Sequence, residues 1–551
     1  MASTVTALIN HNFGGIRRKD SMFSDDKITC SDCQNVELFY TELNSAVGIR
    51  TAKGNHAVTN NIPNGEEVIG MFETSQDGNV YFLIYTENDQ EGKIYSYDLE
   101  LKTLTLLTDG FSVTGKAQGE NFLQGWLDVF VFSNGEEVKF IYSDTVNHNV
   151  LLVAGETDGD QPSSYKLSVN LTDNDGRTVK GLGLANVYGR LWIFNGKVLW
   201  YSQQGAIGIF VNTQQDTSLV TRAGYIEYSK DVTAISEYLG ALAVFHKNSS
   251  CLVKPNTDTL FENTEESPGG CASYNSLVFH GTDLFFYDDT KKGVFSFQQV
   301  INGDKTLGDN IAYDIQTELM DIQKTDLYKI RALSVVTSDR NEVWFLVPID
   351  ATYTKKVLIE EENEDPYYTD VEAPASIIMI FDYIRGEWVK RKCQHINAIS
   401  VVDSILYSGG AQVYQEYQTN DFNGDYIPDY YQCTVMNLGT DNTLKITKFP
   451  PRLTIDASFK NHFFVKYVRN YNVTKKPKLK ELYSKTFGNI LKYDRDKYDS
   501  GKTYRPGAIS GIVKMPSATF KALEITFYTN DSDQEFTIKA LEFSKIKVKQ
   551  V

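Results

Sequence analysis

The chain has 551 residues, 41% hydrophobic and 23% charged, which excludes a mostly disordered polymer and predicts two or three domains rather than a single core. No run of about 18 apolar residues occurs, so no membrane-spanning helix is expected. The net charge of −17 is split: from Asn442 onward 22 Lys and Arg face 10 Asp and Glu, a balance of +12, against −29 for the residues before it, so the two parts are expected to meet different partners.

Aromatic residues are abundant, with 33 Tyr and 31 Phe, and Gly (39) outnumbers Pro (13). Both features suit short strands joined by tight turns. Residues 1–64 read as an extended arm with one short strand from Val36 to Tyr40. The opening residues lack a basic start followed by an apolar run, so no secretory leader is expected. Cys30 and Cys33 have CxxC spacing, but no second pair or nearby His completes a zinc set. The six cysteines are therefore expected to be free thiols of a protein folded in a reducing cytosol.

From Glu66 short apolar runs recur between Gly, Asn and Asp. Asp77-Gly78-Asn79 is a hairpin signal followed by Val80 to Tyr85. Comparable strand-turn-strand passages return around Trp192, Phe245, Phe285, Trp344 and Phe381. Their spacing of roughly 40–60 residues is that of four-stranded units repeated around an axis. Residues 65–440 are thus expected to form a β-propeller of six to eight blades, in a mainly β chain. Trp192, Trp344 and Trp388 are expected in its core. Only residues 310–326 suggest a short helix. From residue 441 the strands alternate more clearly, and 441–551 reads as a basic β-sandwich with a long loop at 475–505.

Catalytic patterns are scarce. No HExxH pair, GxSxG elbow or phosphate loop is present, and the chain is expected not to be an enzyme. The acidic run 360–365 reads as a solvated loop. Asp421, Asn423, Asp425 and Asp429 place oxygen ligands at alternate positions, which could wrap a hard cation such as calcium. Tyr426 and Gln432 depart from the calcium-loop pattern, and a plain polar turn between two domains is the other reading. No other cofactor is expected.

Phe13-Gly14-Gly15, Cys33-Gln34-Asn35 and Gly48-Ile49-Arg50 with Gly54 resemble the start of short-tailed bacteriophage tail proteins. That group comprises packaged-DNA stabilisation, tail-hub and nozzle proteins. Phe381-Asp382-Tyr383 with Gly386 and Trp388 resembles their last blade, and residues 421–430 with 437–439 resemble the crossing into the sandwich. The resemblance implies a virion protein, made in the bacterial cytoplasm, that forms a ring (commonly a hexamer) below the portal and adaptor. Its partners would be other copies of itself, the adaptor or portal and tail fibres, with DNA passing through the lumen without sequence-specific binding. The other reading is a propeller-type carbohydrate-binding or polysaccharide-degrading tail protein. That reading expects two carboxylates facing each other in a central pocket, about 5–10 Å apart; the ring reading expects broad contact surfaces and no such pocket.

Overall fold

The computed structural model describes residues 3–10, 13–16, 28–40, 47–59, 62–144, 150–159, 166–213, 218–302, 307–359, 367–433, 445–447, 452–460, 462–469, 478–483, 509–514, 523–530 and 534–550. The acidic run 360–365, the turn 437–439 and most of 475–505 lie outside them. The protein is mainly β, with 60% strand against 6% helix, arranged as many small antiparallel sheets.

Two compact units divide the chain differently from the boundaries 1–64, 65–440 and 441–551 drawn from sequence. One unit, here the repeat unit, holds residues 57–350 and 395–416. The other, the composite unit, joins 1–56, 351–394 and 417–551. The physical reason is strand pairing. Ser3–Asn10 and Val47–Thr51 both pair with Glu535–Gln550, and Ile28–Gln34 pairs with Tyr430–Cys433. The first residues are therefore sheet strands rather than an arm.

In the repeat unit antiparallel meanders follow one another. Each begins with one of the strands Glu67–Gln76, Gln118–Gln124, Leu182–Val187, Val232–Tyr238, Leu277–His280, Arg331–Val336 and Ile396–Val402. Two-residue turns with positive φ connect several of these to their partners, as at Asp77-Gly78 and Leu239-Gly240, which matches the strand twist. Neighbouring sheets bury their apolar faces against each other. Leu83 and Tyr85 pack with Phe130 and Phe132; Val129 and Phe140 with Leu191 and Trp200; Trp192 and Leu199 with Leu242 and Val253; Phe245 with Leu284 and Phe286. Val68, Phe82 and Tyr97 of the first sheet also pack with Ala398, Val402 and Tyr407 of the last.

Trp192, Trp344 and Trp388 are at most 2% exposed, buried as expected, but only Trp192 and Trp344 belong to the repeat unit; Trp388 lies in the composite unit. Within 310–326 a 3-10 turn of helix at Tyr313–Ile315 leads into the α-helix Gln316–Met320, and a second 3-10 helix, Lys324–Lys329, follows. Another helix, Phe297–Asn302, follows the strand Gly293–Ser296, outside the one stretch where a helix was expected. Its start is fixed by Ser296 Oγ, which accepts the Gln299 N–H at 3.1 Å, and by Asp283 Oδ1, which accepts the Gln298 N–H at 2.9 Å.

The composite unit holds a seven-stranded and a six-stranded sheet. Phe463 of one lies 5.7 Å from Phe536 of the other, ring centre to ring centre, and Leu523, Ile525, Phe527 and Ile538 are fully buried.

Candidate functional site

Three groups of motif residues, far apart in sequence, meet in the composite unit. The Gly15 N–H donates to Glu387 Oε2 at 3.1 Å, and a Cβ at Gly15 would overlap the Trp388 backbone. Gly14 presents its carbonyl to the Tyr431 hydroxyl at 2.7 Å, and Phe13 meets the Tyr431 ring edge-on at 5.8 Å. Asn35, in the left-handed region at φ 53, donates its N–H to the Lys390 carbonyl at 2.9 Å, while its Oδ1 accepts the Lys392 N–H at 2.8 Å. Gly54 donates to the Thr419 carbonyl at 2.6 Å and leaves no room for a Cβ beside Asp421. Arg391, 1% exposed, donates to the Lys53 carbonyl at 2.9 Å and lies over the rings of Tyr417 and Phe422 at 4.8 and 4.9 Å. These side chains satisfy backbone groups and fill close approaches. Their chemistry is positional.

The loop Asp421 to Asp429 belongs to the same junction. Asn423 and Gly424 turn the chain with φ 54 and 88, and Asp421 Oδ1 accepts the Gly424 N–H at 3.0 Å. Asp425 Oδ2 accepts from the Tyr353 hydroxyl at 2.6 Å and pairs with Lys355 at 3.0 Å. Asp429 is buried and accepts from Thr529 Oγ1 at 3.2 Å; burial pushes its carboxyl well above the usual carboxylate range. Three of the four candidate cation ligands thus have partners within the protein: Asp421 holds the Gly424 N–H, Asp425 faces the Lys355 ammonium, and Asp429 is buried beside Thr529. Among the described residues no group of three His, Cys, Asp or Glu side chains is placed to hold a metal. The six cysteines are buried, and none forms a disulfide.

The repeat unit carries a depression of about 480 Å³ that the sequence did not reveal. It is lined from the first strands of successive sheets: Gln118 and Glu120, Leu184 and Asn186, Ser236 and Glu237, Leu277 and Phe279, with Tyr274 beside them. Glu120 is half-buried and Glu237 exposed. Burial first, and the Glu237 carboxylate second, push the Glu120 carboxyl up to about 7. Two acids on different sheets are thus brought to one depression, where the ring reading expected none. Glu120 lies in the second and Glu237 in the fourth of the sheets, with the Leu182–Val187 sheet between them.

No protein-family model matches the chain, and no curated protein matches it.

Proposed function

We propose that this protein is a non-enzymatic structural subunit of a bacteriophage tail, which assembles as a ring below the portal and adaptor and extends the DNA channel. The observation that carries the reading is the junction in the composite unit. The paired glycines, Asn35, Gly54, Trp388 and the 421–429 loop, which separately resemble tail-ring proteins, meet in one place through close backbone contacts. A scaffold is what such residues build, since none of them presents a reactive group to a cleft.

In this reading the sheets of the repeat unit are blades of a β-propeller of six to eight blades. The face-to-face burial of neighbouring sheets, with the last packed on the first, supports it. The composite unit is a β-sandwich assembled from three pieces of chain. A ring built head to tail needs two different, complementary faces on each subunit, and the charge split at Asn442 offers them. Electron microscopy of the purified protein and of virions tests this. Six-fold or similar closed rings on the tail axis are expected, and they should loosen in high salt as charge pairs are screened. A monomer at a fibre tip would overturn the proposal.

One observation favours the carbohydrate reading: Glu120 and Glu237 share a depression, and the first is poised to hold a proton near neutral pH. Polysaccharide turnover abolished by Glu120→Gln would establish that reading in place of the ring.

A further inference from the structure

The first strands of the meanders lie side by side and run the same way. Gln118 Oε1 accepts the Gly183 N–H at 2.6 Å, and three residues further along both strands the Asn186 side-chain amide donates to the Asn121 carbonyl at 3.4 Å. The Asn121 side-chain amide in turn donates to the Glu73 carbonyl at 3.0 Å. Leu239 and Phe279, from the fourth and fifth sheets, border the same depression as Asn186. At the turns themselves the Asp403 N–H donates to Glu73 Oε2 at 2.6 Å, and the His280 ring lies 2.8 Å from Ser334 Oγ. The turns from first to second strand therefore gather at one end of the repeat unit.

That end has a composition of its own. Val80, Trp126, Leu239, Phe279, Val336 and Ile405, one from each of six sheets, stand in or beside these turns, and they are between 36% and 72% exposed. A single exposed apolar residue is ordinary; its recurrence at the same turn of six sheets gives this end an apolar rim. Charge is equally one-sided. No lysine lies within three residues of any of the seven turns. The two arginines there are engaged: Arg190 is buried and donates to the Arg222 carbonyl at 2.8 Å, and Arg340 pairs with Glu342 at 3.2 Å. Asp77, Glu237, Asp339 and Asp403 are exposed. The turns from second to third strand differ, with Lys93, Lys139, Lys197, Lys247 and Lys291 in or next to them.

We infer that this apolar, acidic end is a docking face for a second copy of the chain, and that its occupant is that copy's basic part, from Asn442 onward. The inference rests on the ring reading and adds to it which end of the repeat unit is joined. Charge complementarity names the occupant, since the residues from Asn442 carry +12 against −29 for the rest. The apolar rim would exclude water from the contact, while the carboxylates select a basic partner and fix its register. DNA is a poor occupant, because it is held by Lys and Arg and this end offers none that is not already bonded. The two ends of the repeat unit are unlike, as a head-to-tail contact requires.

Analytical ultracentrifugation of the full chain tests the face. Trp126→Ser combined with Leu239→Ser and Phe279→Ser should raise the dissociation constant of the ring at least about tenfold. All three side chains are exposed, so the melting temperature of the separated subunit should hold. Glu237→Lys with Asp339→Lys should weaken assembly as well, by repelling a basic partner, and most at low salt. Leu101→Ser, 72% exposed in a turn from third to fourth strand, should leave assembly unchanged. Carbodiimide cross-linking of rings assembled from equal parts of light and heavy-isotope chain should join Glu237 or Asp339 of one copy to lysines beyond Asn442 of another. Rings that persist in both face variants, or cross-links that join copies only through the lysine-bearing end, overturn the docking face and leave the ring reading standing. Cross-links from this end to a different tail protein in the virion overturn the second copy as its occupant. A chain that stays monomeric under every condition overturns the ring and the face together.

Discussion

In the repeat unit a strand finds its partner after a turn of a few residues: Gln76 pairs with Asn79, and Tyr238 with Ala241. In the composite unit Gly15 meets Glu387 across 372 positions, and Tyr431 meets Gly14 across 417. The first kind of pairing closes short loops, and each sheet can form before the next. The second requires distant segments to be brought together before any contact repays the lost chain entropy. The composite unit therefore depends on close-fitting contacts that the repeat unit does not need. Glycines sit where strands from different parts of the chain touch, whereas most hairpin glycines of the repeat unit face open space.

The largest effects should come from emptying the two cores. Trp192 is fully buried between Tyr201 and Phe261, at 5.0 and 4.8 Å; Trp388 is buried against Phe381 at 5.0 Å. Each Trp→Ala change should cost about 3–5 kcal/mol. Scanning calorimetry should show Trp192→Ala lowering one unfolding transition and Trp388→Ala another. A single transition shifted equally by both would break the distinction between the units.

A smaller pair of changes sharpens it. Gly54→Ala drives a methyl into the Asp421 backbone and should cost about 1–3 kcal/mol through overpacking. Gly78→Ala meets nothing within 4 Å, but Gly78 has φ 79, so its cost should be the backbone term alone, about 1 kcal/mol. Urea denaturation followed separately for each unit should show Gly54→Ala acting on the composite unit and Gly78→Ala on the repeat unit.

The same contrast explains what could be read from sequence. Runs such as Val80 to Tyr85 and the glycine turns between them are local signals, so the mainly β class and most strands of the repeat unit were legible. The buried tryptophans were legible too, because alternating apolar neighbours mark them. The composite unit was not. Nothing near Ser3–Asn10 announces that it pairs with Glu535–Gln550, so the first residues read as an arm. Gly14, Gly15 and Gly54 stood out as motif residues, but their partners Trp388 and Asp421 could not be named. The Asp421 to Asp429 spacing was visible, whereas the hydroxyl and ammonium that occupy Asp425 come from Tyr353 and Lys355, some 70 residues earlier. Glu120 and Glu237 failed to stand out for the same reason: acids on separate sheets become neighbours only when the sheets pack.

The smallest effect belongs to that loop, and it bears on whether the junction is purely architectural. Lys355 is 44% exposed where it pairs with Asp425, and exposed pairs contribute at most about 1 kcal/mol. Lys355→Met should therefore lower the stability of the composite unit by less than about 1 kcal/mol. Tyr353→Phe, which removes a partly buried hydroxyl bonded to the same carboxylate, should cost about 1 kcal/mol. Adding calcium should leave the melting temperature of either variant, and of the unaltered chain, where it was. A resident calcium ion would reverse the pattern. Its binding free energy would add to stability, millimolar calcium would raise the transition, and Asp425→Asn would abolish that rise. Lys355→Met would then strengthen the response, because it removes a competing cation from the carboxylate. A calcium-dependent rise of that kind would give the loop a chemistry beyond holding Gly54 and Asn55 in register.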